Sequence, residues 1–244
     1  VTELRSDSDG DLFTERARQY AADRPNDRLH ILEAGCGWGG GLCLGPPEGG
    51  AGHQVTGIDL DTPAARAHVR SRTDLSAWHL GDLRTAPLPP RAFDIVHAPY
   101  LIERVPHAEL VLDRFVAALR PGGLLLLRLR DRDSAFGFLD RRLPLGLAAR
   151  LPSWPDDRPV PPPAGHYERV ASRQGMQWYC VMRGLVIAEE RTSRDTLATL
   201  GAGAGAVSGL CRAVAACSRG RLTAAHTDVA LVIRKPENRF ARLI

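Results

Sequence analysis

Apolar residues recur at helical spacing near the start of the chain. Within residues 11–24 (DLFTERARQYAADR), Leu12, Phe13, Ala17, Tyr20 and Ala21 share one face, which predicts an amphipathic first helix. Residues 28–34 (RLHILEA) read as a buried strand that runs straight into a glycine cluster, and 53–58 (HQVTGI) as a second strand. Thr62 followed by Pro63 is good start chemistry for a helix: a capping hydroxyl, then a ring that presets φ at the first position. Residues 93–97 (FDIVH) predict a third short strand. Pro106 opens a helix through Arg120, with Leu110, Val111, Phe115, Val116 and Leu119 as its apolar face and His107 helping to cap its start. Pro121-Gly122-Gly123 stops that helix. The continuous run 124–129 (LLLLRL) then reads as a strand buried on both faces.

After Asp131 the regularity breaks. Residues 132–175 hold Pro144, Pro152, Pro155, Pro159 and the Pro161-Pro162-Pro163 run, which predicts a loop-rich, lid-like insertion. Two strands follow, at about 185–189 and 227–234, with a small-residue helical segment between them. Strands alternating with helices predict an α/β fold whose mostly parallel sheet is covered on both sides. The expected organisation is one domain over 1–244, with its core at 28–131 and 176–236. No internal repeat is present.

Composition narrows the classes of function. A hydrophobic fraction of 44% and a charged fraction of 25% are those of an ordinary globular chain. The formal net charge of +4 invites a nucleic-acid partner. However, only Lys235 among the 32 basic residues is lysine, and the arginines are scattered without a basic tail or cationic run. A nucleic-acid partner is therefore not expected. The five cysteines, Cys36, Cys43, Cys180, Cys211 and Cys217, form no CxxC or Cys/His zinc pattern. They read as free thiols in a reducing, cytoplasmic setting, and no metal is expected. The polar start VTELRSDSDGD is not that of a signal peptide. The stretch 196–217 is too weakly apolar to span a bilayer, so no membrane partner is expected.

The candidate chemistry begins at Glu33-Ala34-Gly35-Cys36-Gly37-Trp38-Gly39, directly after a strand. Glycines there permit positive φ and close approach of a ligand to the backbone. Taken alone, this element also fits a plain tight turn or a dinucleotide fold. Its partners favour another reading. Asp59 ends the second strand, in VTGIDLD, where a carboxylate can accept both hydroxyls of a ribose. Gly81-Asp82-Leu83 precedes FDIVH, where a carboxylate can receive an adenine amino group, and LRPGG (119–123) leads into the next strand.

In this order, E-x-G-x-G, GIDLD, GD-L, FD-x-V and LRPGG resemble the class I, Rossmann-like S-adenosylmethionine-dependent methyltransferase family. The resemblance covers roughly residues 28–131, and TDVALVIRKP resembles that family's last, antiparallel strand. It implies a seven-stranded sheet. It also implies a cofactor site in which Glu33, Gly35, Cys36 and Gly37 pass the methionine portion and Asp59 holds the ribose. Leu60 would flank the adenine, Gly81, Asp82 and Leu83 would take its edge, and His97 and Ala98 would complete the site. The implied cofactor is S-adenosylmethionine, with S-adenosylhomocysteine as product. The chain departs from the family between Gly39 and Gln54, where GGLCLGPPEGGAGH is too rich in Gly and Pro for a normal first helix. That helix is expected to be very short or absent. The support that a helix N-terminus gives to the methionine carboxylate is then missing.

Acceptor-side candidates lie around His97-Ala98-Pro99-Tyr100 and Glu103-Arg104. His97 is a candidate base, although a strand-end histidine bonded to backbone is the plainer reading. Tyr100 either stacks on an acceptor or packs under the lid. HAPY echoes the D/N-P-P-Y tetrapeptide of amino-methyltransferases but lacks the amide or carboxylate that would accept amino hydrogens. His166, beside Tyr167 and Glu168, is a further candidate base, against a solvent-facing loop as the alternative. Asp131 and Asp133 suggest either a bound cation or, as the default, ion pairs with Arg128, Arg130 and Arg132. Trp154, Trp178 and Tyr179 read as packing for the insertion. The expected activity is methylation of an O or N atom of a small-molecule acceptor by a monomer or homodimer. Competing readings are a binding-only protein, an RNA or DNA methyltransferase, and a nicotinamide-dependent oxidoreductase. The missing second half of a double Rossmann unit disfavours the last.

Overall fold

The computed structural model describes residues 9–38, 41–45, 52–142 and 165–237. Its elements run α1 (Asp9–Ala22), β1 (Leu29–Ala34), β2 (His53–Asp59), α2 (Pro63–Ser71), β3 (Ala77–Leu80), β4 (Phe93–Pro99), α3 (Ala108–Ala118) and β5 (Leu119–Arg130). Then follow α4 (Ala135–Arg142), α5 (Arg173–Met182), β6 (Val186–Ser193), α6 (Asp195–Ala198), a 3-10 turn at Gly201–Gly203, α7 (Ala204–Cys217) and β7 (Asp228–Arg234). The strands form one seven-stranded sheet in the order β3-β2-β1-β4-β5-β7-β6. β1 to β5 run parallel, and β7 inserts antiparallel between β5 and β6. This is the Rossmann-like, mostly parallel sheet with an antiparallel last strand that the resemblance implies.

Alternation along the central strands builds two apolar layers. Leu125, Leu127 and Leu129 of β5 face a core shared with Val111, Leu112 and Phe115 of α3 and Met176, Tyr179 and Cys180 of α5. Leu124 and Leu126 face the opposite layer, with Leu12, Phe13, Ala17 and Tyr20 of α1. A strand that is apolar on both faces is therefore a central strand with helices above and below, as the LLLLRL run predicted. A third, smaller cluster joins α4 and α7 through Phe136, Leu139, Leu197 and Cys211.

Several local expectations need correction. A strand at β3 was not expected, because Ala77, Trp78 and His79 are exposed on the sheet's edge and carry no apolar alternation. The helix expected from Pro106 begins at Ala108. His107 adopts a left-handed conformation there and makes no side-chain cap. Instead, Glu168 accepts the His107 and Ala108 N–H groups at 2.6 and 2.9 Å. Leu110 lies on the exposed side of α3, and Leu112 is buried in its place. The first and last parts of the expected insertion carry helices, α4 and the start of α5, while residues 143–164, with Trp154 and all of the insertion's prolines, lie outside the described residues. Trp178 is exposed rather than packed. Thr62 caps α2 as expected, accepting from Ala65 N at 3.1 Å. Residues 41–45 carry no helix.

Candidate active site

The carboxyl ends of β1, β2 and β4 lie side by side, and the chain turns sharply at each. After β1, Gly35 has a φ of +94°, a conformation that only glycine adopts without strain. The Gly35 N–H donates to the Ile58 carbonyl at 2.7 Å, which pins the turn to β2. Gly37 is constrained by contact: a Cβ there would stand 2.4 Å from the Ala65 Cβ and 2.9 Å from Asp59 Oδ2. Both glycines of the motif are thus required, one by backbone conformation and one by the close approach of α2.

Asp59 is buried at the end of β2. It accepts the N–H of Gly37 at 2.9 Å and of Leu60 at 2.7 Å, and Arg104 Nη2 lies 3.8 Å away. Burial raises its pKa, against the opposing pull of Arg104 and the two amides. This carboxylate therefore ties the glycine turn to the following loop. Beside it, Leu60, Asp61, Gly81, Asp82, Leu83, Arg84, Val105, Pro106 and Val111 line a cleft of about 340 Å³. All the residues that the resemblance assigns to the adenine meet there. Asp82 is exposed and forked by Arg84 at 2.7–3.1 Å, which holds its carboxyl down at about 2.

Glu33 and His97 are register partners on adjacent strands. Their side chains meet in the interior, with His97 Nδ1 2.9 and 3.0 Å from the two Glu33 carboxylate oxygens. The Phe13 ring packs edge-on against His97 at 5.5 Å. The partner of His97 is thus a carboxylate and not backbone. Cys36 is buried beneath the turn, and burial together with Asp59 and Glu33 pushes its thiol up to about 12. It stays protonated. Ala98 is buried within β4.

Tyr100 follows β4 with a φ of +51°, a strained turn of the kind that clusters at functional sites. The Tyr100 carbonyl accepts Arg104 Nε at 2.7 Å. The Tyr100 ring lies 5.9 Å from Trp38, and the Arg128 and Arg130 guanidinium groups stand 5.5 and 5.8 Å from its centre. Burial raises its phenol far above the usual range, so it remains neutral. His166 is exposed, whereas its neighbour Tyr167 is buried and donates to Asp140 at 2.7 Å. Of the expected local pairing of Asp131 and Asp133 with three arginines, the described residues show Asp133 with Arg132, at 3.6 Å. Asp131 instead pairs with His226 at 2.8 Å, Arg128 with Asp195 at 2.6 Å and Arg130 with Asp140 at 3.5 Å. Sequence reasoning missed the Glu33–His97 pair and the placement of Arg104 against the glycine turn. The first was open to detection once β1 and β4 were set parallel in register.

Comparisons with known proteins agree with this geometry. A family model described as a methyltransferase domain matches residues 7–190. The trans-aconitate 2-methyltransferase of Azoarcus sp. is 30% identical over 69% of this chain and 67% of its own length. A malonyl-acyl-carrier-protein O-methyltransferase of Erwinia pyrifoliae is 27% identical over 57% of the chain, which spans about half of that relative. Among solved structures, an S-adenosylmethionine-dependent methyltransferase from Mesorhizobium loti superposes with a TM-score of 0.52 at 17% identity, covering 92% of this chain and 97% of the other. The cyclase SpnF gives 0.54 at 19% identity, covering 96% and 85%. With its seven-stranded sheet, its glycine turn and a matching family model over most of its length, the chain belongs to the class I S-adenosylmethionine-dependent methyltransferase family.

Proposed function

We propose that this protein transfers the methyl group of S-adenosylmethionine to an oxygen or nitrogen atom of a small-molecule acceptor. The observation that carries the reading is the cleft lined by Leu60, Gly81, Asp82 and Leu83, which begins at the residue after Asp59, the carboxylate hydrogen-bonded to the glycine turn. The cradle fits the cofactor by its own features: a positive-φ glycine turn faced by two N–H donors unpartnered among the described residues, a buried carboxylate at the ribose position and a cleft beginning at the next residue. When bound, the cofactor supplies a sulfonium-activated methyl carbon. The protein's task is alignment and exclusion of water. A base is required only where the acceptor keeps its proton.

In this reading Glu33, Gly35, Cys36 and Gly37 border the methionine portion, with His97 and Ala98 behind it. Asp59 takes the ribose, and Leu60, Gly81, Asp82 and Leu83 take the adenine. Tyr100, held neutral by burial, orients an acceptor and does not serve as a base. His97 acts through Glu33, and His166 reaches the acceptor from the solvent side. The named activities of relatives toward trans-aconitate, malonyl-acyl-carrier protein and nocamycin support a metabolite-sized acceptor. No described helix is long and apolar enough to cross a membrane. The five free cysteines support a reducing compartment.

A second reading, cofactor binding without methyl transfer, draws support from the shared fold of a protein named as a cyclase. Calorimetric titration with S-adenosylmethionine, S-adenosylhomocysteine and NAD comes first. Saturable binding of the first two at one site per chain, without NAD binding, is expected. A screen of small acids, phenols and amines for S-adenosylhomocysteine release then separates the two readings. Absence of cofactor binding would overturn both.

A further inference from the structure

The glycine turn is flanked by two buried N–H donors with nothing to donate to. Trp38 Nε1 and Arg104 Nη2 each find no hydrogen-bond acceptor among the described residues. They converge: a Cβ placed on Gly35 would lie 3.5 Å from Trp38 Nε1 and 3.6 Å from Arg104 Nη2. The Arg104 side chain is only 10% exposed. Its Nε is committed to the Tyr100 carbonyl, so the guanidinium is held in place with Nη2 turned to the glycine face. Its nearest counter-charge, Asp59 Oδ1 at 3.8 Å, lies beyond hydrogen-bond reach and is already engaged by the Leu60 N–H. Buried donors left unpaired are costly, more so for a charged group, and such sites call for an explanation. One cationic and one neutral donor meet at the Gly35 face, where the Pro99 carbonyl oxygen stands 3.6 Å from the same Cβ position, and the two donors together suit a planar anion.

We propose that Arg104 and Trp38 bind the α-carboxylate of the cofactor's methionine arm over Gly35. The inference rests on the cofactor assignment and adds the residues that hold one end of it. Elsewhere in such folds, the N–H groups and dipole of a helix following the glycine turn can support this carboxylate. Here residues 41–45 carry no helix, so a side-chain cation from the loop after β4 takes over that work. Burial lowers the pKa of Arg104 without discharging it, so the guanidinium gains from an anionic partner. The remaining source of the same chemistry is a carboxylate on the acceptor, and the test separates the two.

Calorimetry on the intact chain would compare S-adenosylhomocysteine, its decarboxylated analogue and 5′-methylthioadenosine, which lacks the whole amino-acid arm. For the parent, S-adenosylhomocysteine should bind most tightly. Arg104→Gln should weaken it about tenfold or more, the scale of one charge-assisted hydrogen bond. The decarboxylated analogue and methylthioadenosine should keep parental affinity, which also shows that the site is folded. Trp38→Phe should give a smaller loss confined to the same ligand, and Arg104→Lys should restore part of it. Equal weakening of all three ligands would overturn the proposal, placing Arg104 in a structural role through Asp59. Unchanged S-adenosylhomocysteine binding in Arg104→Gln would overturn it as well. So would Arg104-dependent binding of succinate to the parent saturated with S-adenosylhomocysteine, since the receptor would then serve the acceptor. Failure of the parent to bind any adenosyl ligand would count against the cofactor assignment itself.

Discussion

Glu103 should make this protein less stable as pH rises through neutrality, and the size of the effect follows from its surroundings. The residue is fully buried in the turn after β4. One carboxylate oxygen accepts the Arg130 N–H at 3.3 Å, and the other has no hydrogen-bond partner among the described residues. Burial is the dominant influence and pushes the carboxyl up to about 7, with Arg130 and Arg104 pulling the other way. The unfolded chain ionises the same group near 4.3. Between these values the folded state holds a proton that the unfolded state has released. Stability therefore falls as pH rises, and the loss is complete above the folded value. The difference of roughly 2.5 units corresponds to about 3 kcal/mol in full, of which about 2–3 kcal/mol develops between pH 5 and 8.

The perturbation is Glu103→Gln, which keeps an oxygen for the Arg130 N–H and removes the titration. Urea unfolding of both proteins at pH 5, 6, 7 and 8 gives the stability difference at each pH, and other titrating groups cancel between them. The variant should gain on the parent steadily across this range, by about 2–3 kcal/mol in total. A difference that stays flat would refute the claim that burial controls Glu103. A difference of opposite sign would mean that attraction to Arg130 and Arg104 outweighs desolvation, with the carboxylate ionised throughout.

Three further outcomes follow from the same geometry. Gly37→Ala should destabilise the fold by roughly 1–3 kcal/mol and weaken S-adenosylhomocysteine binding, because its methyl group would meet the Ala65 Cβ at 2.4 Å; thermal melts with and without ligand read both effects. Glu168→Ala should cost about 1 kcal/mol in urea unfolding by uncapping α3, while leaving cofactor affinity unchanged. Asp82→Asn should weaken all adenosyl ligands alike, including methylthioadenosine, without lowering the melting temperature, since Asp82 is exposed at the cleft and supports no buried contact. Equal affinity in parent and Asp82→Asn by calorimetry would remove the adenine assignment.

The central sheet was legible because its strands carry their own record. Leu124–Leu129 is apolar on both faces only if helices lie above and below, and the alternation in the structure divides those leucines between α1 on one side and α3 with α5 on the other. β3 left no such record, because an edge strand at the sheet's margin needs no apolar face. The same contrast governs capping. Thr62 announces α2 locally, three residues before the N–H it accepts, whereas α3 takes its cap from Glu168, some 60 residues away, which no local pattern encodes.

The candidate site divides along the same line, and the division explains why Arg104 was read on the acceptor side and its place against the glycine turn was missed. Gly35 and Gly37 are readable because backbone conformation and close packing restrict what each position tolerates, and Asp59 and Asp82 because they stand in the ordered motifs that carry the resemblance. Arg104 meets no such local restriction. Its role arises because Tyr100 adopts a φ of +51° and turns its carbonyl toward Nε, which fixes a long side chain that would otherwise sample many rotamers. Once so fixed, its Nη2 reaches the face of a glycine 69 positions earlier in the chain. The absence of a helix at residues 41–45 is legible as an excess of Gly and Pro in that stretch. The helix's replacement emerges only from the packing of β4 beside β1, which sets the two loops against each other. Under the proposed assignments, the strained Tyr100 turn joins the acceptor side to the cofactor side through the Arg104 bond to its carbonyl. Relaxing it should loosen the grip on the methionine arm before it disturbs the adenine.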